Sequence, residues 1–161
     1  MQILKTVLCV MLAALALTGC ALFRKFGATT TTVRIHEQAS SSLPADYVLN
    51  VEIPSINLKL SVSPYPTLSE KDILSADLYD TAGGKAILLR FDAHGLFVLD
   101  ETTTRSRGQY LVTFVNTRPV AAWFVNQRIL NGQFLIEGDF TDEEAKQIVN
   151  ALNKMSKANR P

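Results

Sequence analysis

The uncharged apolar run over residues 6–17 ends in Leu17-Thr18-Gly19-Cys20 and is followed almost at once by Arg24 and Lys25, which limits what the rest of the chain can become. A transmembrane helix needs roughly 20 apolar residues to cross about 30 Å of hydrocarbon, so this run is too short to span. With Lys5 placing a positive charge ahead of it, the layout is that of a secretory signal with cleavage after Gly19. Cys9 would be discarded with the signal, leaving Cys20 as the one cysteine of the mature chain. An exported domain without an internal disulfide must be held by its hydrophobic core, and the residues beyond 44 are numerous enough to build one.

Leu17-Thr18-Gly19-Cys20 resembles the cleavage box of bacterial lipoproteins. The Cys20 thiol is the nucleophile that would take up a diacylglyceryl group, and Thr18 and Gly19 are small enough to enter a peptidase site. That resemblance implies a mature N-terminus at Cys20 carrying palmitate-type acyl chains, with membrane attachment through more than one chain. An ordinary secretory signal with a coincidental cysteine is the alternative. Ala21 is not the aspartate associated with inner-membrane retention, so an outer-membrane lipoprotein facing the periplasm is expected in an organism with two membranes.

Sixteen basic and 15 acidic residues become 15 and 15 once Lys5 is lost, so the mature chain is formally neutral. Nucleic-acid binding demands a clustered excess of Lys and Arg, and no such cluster is present. The expected organisation is a signal peptide at 1–19, a lipid anchor and tether at 20–43, one domain at 44–157 and a tail at 158–161. Four threonines at 29–32 and three serines at 40–42 give the tether its composition, around a short alternating piece at 33–37.

Within the domain, residues 47–53 and the alternation of Ile56, Leu58, Leu60 and Val62 predict two strands separated by Pro54. Residues 74–79 and 86–91 flank Ala82-Gly83-Gly84 and predict a hairpin. A helix is predicted over 94–106, weakened by threonines 102–104 and stopped near Gly108. Strands follow at 109–115, 120–125 and 133–137. The final helix is announced by Thr141 and Glu144 as a capping box and by an apolar stripe of Ala145, Ile148, Val149, Leu152 and Met155. The fold class is therefore α+β, an antiparallel sheet with two helices packed on one face.

Residues 84–152 resemble the head of the first periplasmic domain of SecD, a subunit of the bacterial protein-export machinery. The succession carries the resemblance: Ala86-Ile87-Leu88-Leu89-Arg90-Phe91-Asp92 with Gly95, a threonine-containing helix to Gly108, Ile129 with Gly132, then Ile136-Glu137-Gly138-Asp139-Phe140-Thr141 with Glu144-Ala145. Leu68-Ser69-Glu70-Lys71-Asp72-Ile73 fits more loosely. The resemblance implies binding of polypeptide, either exported chains or an envelope complex. Two departures limit it. No apolar segment after the signal could carry the membrane-embedded ionisable groups that proton coupling needs, and the hairpin at Asn116-Thr117-Arg118-Pro119 lacks the family's Asp-Gly turn.

Chemistry-bearing constellations are hard to assemble. His36 falls in the tether region and His94 at a helix start, without a His-x-x-x-His pair, a Gly-x-Ser-x-Gly elbow or a phosphate loop. No catalytic residue, cofactor, metal or small-molecule substrate is expected, with a small hydrolase as the least favoured alternative and an envelope scaffold unrelated to export as the nearer one. Trp123 and Phe124 are adjacent on a strand and must face opposite ways. One faces the core, and the other either lies under a second layer such as residues 47–62 or contributes to a protein contact. Arg90, Asp92 and Asp139 are either solvated strand-end charges or a functional cluster.

Overall fold

The computed structural model describes residues 31–138 and 140–158. Eight strands and two helices follow in the order β1 (Val33–Glu37), β2 (Leu49–Ile53), β3 (Leu58–Val62), β4 (Ile73–Thr81), β5 (Gly84–Phe91), α1 (Ala93–Arg105), β6 (Tyr110–Val115), β7 (Arg118–Phe124), β8 (Gln133–Ile136) and α2 (Asp142–Ala158). The antiparallel α+β class is as expected, with the strands divided among three sheets: β1-β6-β7, β2-β3 and β4-β5-β8.

Local sequence explains most of these elements. Thr81 pairs with Gly84 across the two-residue turn Ala82-Gly83, and Gly84 takes φ 119°, where a side chain would be strained. Asn116 takes φ 57° at the β6–β7 turn, which asparagine tolerates better than most residues. Pro119 sits in β7 beside the register shift that follows Thr113, on an edge strand where its missing N–H costs no ladder bond. Asp92 caps α1 by accepting from Gly95 N at 2.8 Å. The threonines of α1 are accommodated because Thr103 Oγ1 donates to Leu99 O and Thr104 Oγ1 to Asp100 O, both at 2.8 Å. In α2 the capping box is complete: Thr141 N donates to Glu144 Oε2 at 2.8 Å and Glu144 N to Thr141 Oγ1 at 3.2 Å.

The main core joins Ile87 and Leu89 of β5, Phe134 and Ile136 of β8, Leu99 of α1 and Ile148 and Leu152 of α2 with Val33, Ile35 and Leu111 of the β1-β6-β7 sheet. A second core lies on that sheet's other face, where Ile53 and Val62 of the β2-β3 hairpin meet Val112 and Phe114.

The stretch expected to be tether contributes to the fold, so the boundary near Pro44 comes too late. Val33 and Ile35 are each 1% exposed, and β1 pairs with β6 along its whole length. Five residues between threonine and serine runs, with only Val33 and Ile35 apolar, are too few to be recognised as a core strand without their partner. His36 is therefore a core residue: it is 6% exposed, its ring lies 4.7 Å from that of Phe114, and Nδ1 donates to Ser63 O at 2.8 Å. Glu37 clasps β1 to the end of α1, accepting from Ser106 Oγ at 2.6 Å, Thr67 Oγ1 at 2.8 Å and Arg105 Nη2 at 2.8 and 3.1 Å. Two smaller differences concern the hairpin, where Tyr47 and Ile56, expected at the starts of its strands, belong instead to single 3-10 turns, Ala45–Tyr47 and Pro54–Ile56. Proline at the start of the second turn presets its φ.

Candidate functional site

A concavity lies between β7 and β8, each at the edge of its own sheet. The two strands converge where Gly138 passes β7 so closely that a Cβ there would stand 2.9 Å from Val120 O. Away from that point the loop 125–132 opens a cleft of about 410 Å³, walled by Trp123, Arg128, Leu130, Gln133, Leu135 and Glu137.

Each wall is held in place. The Trp123 ring packs edge-on against Phe134, with centroids 5.7 Å apart and planes at 78°, and it rests on the main core. Arg128 is anchored by Asp100 of α1, with Nη2 donating to Oδ2 at 2.7 Å and Nε to Oδ1. The hydrogen bond from Arg128 holds the Asp100 carboxyl below its usual range. Ile129 N donates to Thr103 Oγ1 at 3.0 Å, and Gly132, at φ 64°, lies against Leu96, so the loop is tied to α1 at three points.

The two adjacent aromatics divide as strand geometry requires. Trp123 is half-buried and lines the cleft. Phe124 is 45% exposed on the opposite face, 5.2 Å from the Tyr110 ring. The β2-β3 hairpin covers Val112, Phe114 and Ala122 on that face and leaves Phe124 open.

Other candidate residues serve separate local purposes. Arg90 pairs with Asp77, Asp92 caps α1, and Asp139 lies outside the described residues, as does Cys20. His94 is a largely exposed helix-start residue whose Nδ1 lies 3.0 Å from Asp72 Oδ1. Among the described residues, no group of three or more His, Cys, Asp or Glu could hold a metal ion, and no helix is long and apolar enough to cross a membrane. Leu130, Gln133 and Leu135 carry no signal in sequence that marks them as cleft residues; only the meeting of β7 and β8 brings them together.

Residues 51–156 match the family described as SecDF, P1 head subdomain. Among solved structures, SecDF in its super-membrane-facing form superposes with a TM-score of 0.60 at 20% identity, over 77% of this chain and 19% of that one. The membrane component SecDF that enhances protein export superposes with a TM-score of 0.60 at 19% identity, over 77% of this chain and 62% of that one. At such identities the likeness is one of fold, and this chain spans less than two thirds of either protein. No curated protein matches the sequence.

Proposed function

The chain belongs to the SecDF P1 head subdomain family, and from that premise we propose that it is a lipid-anchored, non-enzymatic envelope protein whose domain binds polypeptide in or near protein export. The observation that carries this reading is the Trp123 cleft: a cavity of about 410 Å³ between two strand edges, lined by apolar Trp123, Leu130 and Leu135 together with polar Arg128, Gln133 and Glu137. Sites of that size and mixed lining suit a short segment of chain. Attachment runs through lipid on Cys20, and Ala21 after it favours the outer membrane, with the domain facing the periplasm.

Mass spectrometry of what co-purifies with the full-length chain from cross-linked, gently solubilised membranes tests the reading, with Trp123→Ala alongside. Translocase subunits or many exported chains, diminished in the variant, are expected. A single stable envelope partner retained by Trp123→Ala would instead make the chain a scaffold that reuses the fold. Trp123 is the one tryptophan of the sequence, so an unfolded protein entering the cleft should shift the intrinsic fluorescence. Cys20→Ser should abolish both acyl labelling and membrane sedimentation.

A further inference from the structure

The fold closes some of its strand edges and leaves β8 open. The outer side of β1 is bridged to Leu68, with Ile35 N donating to Leu68 O at 2.9 Å and Thr67 N to Ile35 O at 2.8 Å. The outer side of β4 is capped by Asn153, whose Oδ1 and Nδ2 bind the N–H and C=O of Ala76. On β8 the pairing decides which groups are free. Phe91 N donates to Gly132 O at 2.9 Å, and continuing that register puts the hydrogen-bonded pairs at Leu89 with Phe134 and Ile87 with Ile136. The alternate residue, Leu135, then turns its N–H and C=O away from β5 into the cleft, where no side chain among the described residues caps them. At one end Gln133 N is already taken by Asn131 Oδ1 at 3.0 Å, which stops the open stretch there.

We propose that β8 accepts an extended polypeptide segment as an added antiparallel strand, paired through Leu135, with a basic residue of the segment beside Glu137. This deepens the polypeptide-binding reading and rests on it. An outward N–H and C=O on one residue are matched by another extended backbone, and main-chain bonds of this kind bind without demanding one sequence. Side chains of the added strand would alternate between the Leu135 side and the Trp123 side. Charge sets the direction. Arg128 is neutralised by Asp100, whereas Glu137 has no ion-pair partner among the described residues, so the cleft's uncompensated charge is negative and lies at the C-terminal end of β8. In antiparallel addition the N-terminal part of the segment lies there, which selects a Lys or Arg ahead of an apolar run.

The test uses the full-length chain in detergent with two soluble ten-residue peptides, one with Lys ahead of alternating Val and Thr, the other its reversed sequence. Trp123 fluorescence reads binding and amide hydrogen exchange reads pairing. Expected are at least tenfold slower exchange of the Leu135 amide in the complex, at least threefold tighter binding of the Lys-first peptide, and loss of that preference in Glu137→Gln. Leu135→Pro deletes the outward N–H while sparing the bonds to β5, and should weaken binding at least tenfold. Unchanged binding by a folded Leu135→Pro, or an unprotected Leu135 amide in the wild-type complex, overturns strand addition and leaves polypeptide binding by side chains standing. If Leu135→Pro does not fold, wild-type exchange decides alone. No fluorescence response to either peptide or to an unfolded protein overturns both readings. Leu135 protection that rises with protein concentration without peptide, in step with dimerisation, assigns the edge to a second copy and overturns the proposal.

Discussion

The side-chain amide of Asn153 stands in for a missing strand beside Ala76: Oδ1 accepts from Ala76 N at 2.9 Å and Nδ2 donates to Ala76 O at 2.7 Å. One turn along, Ser156 Oγ donates to Leu74 O at 2.6 Å. Helix α2 thus covers the edge of β4 with hydrogen-bonding groups as well as packing on its face, which removes a template for edge-to-edge association.

Asn153→Ala leaves the N–H and C=O of the buried Ala76 without partners and should cost about 1–3 kcal/mol, read from urea unfolding. Asn153→Asp keeps the acceptor but points an anionic oxygen at Ala76 O, so it should be worse than alanine at neutral pH and recover partly on acidification. Equal stability of Asn153→Ala and wild type would show the cap to be dispensable.

Gly95→Ala should destabilise although alanine is the better helix former. A Cβ there would stand 2.9 Å from Phe91 Cβ and 3.0 Å from both Cβ and O of Asp72, and that carbonyl is itself held by Asp92 N at 2.9 Å. Overpacking of about 1–3 kcal/mol outweighs a helix-propensity gain of about 1 kcal/mol. Thermal unfolding of the variant would reveal the balance, and a raised midpoint would contradict it.

Burial holds the His36 imidazole below its ordinary range; the hydrogen bond to Ser63 O opposes this in part, and the charge of Arg34 adds to it. The unfolded chain therefore binds the proton more readily, so this contribution to stability is complete above about pH 6.5 and falls as the pH drops below it. His36→Gln should flatten the stability profile between about pH 7 and 5. A slope that persists unchanged in the variant would assign it to another group.

Burial works against the Glu37 charge, but hydrogen bonds from Ser106, Thr67 and Arg105, with the Arg105 charge, outweigh it and hold the carboxyl below its usual range. Its contribution is present above the ordinary carboxylate value and disappears as the pH falls through the lower, folded one. Glu37→Gln should therefore unfold with less pH dependence in the acid limb, below the window in which His36 acts. Denaturation curves at closely spaced acidic pH values separate the two.

Short-range interactions were readable along the chain. The Thr141–Glu144 box and the stripe from Ala145 to Leu152 specified α2, the turn at Ala82-Gly83 specified the β4–β5 hairpin, and the motifs from Ala86 to Ala145 pointed to the family, because periodicity, capping and turn conformation depend on neighbours a few residues away. Tertiary structure alone decided that Val33–Glu37 is a strand, that His36 is buried, that Trp123 rather than Phe124 lines the cleft, and that β4 is capped while β8 is open. Each of these depends on which strand lies beside which. That choice is settled by burial and hydrogen bonding between residues far apart in the chain, as in the pairing of Val33 with Val115 and of Asn153 with Ala76.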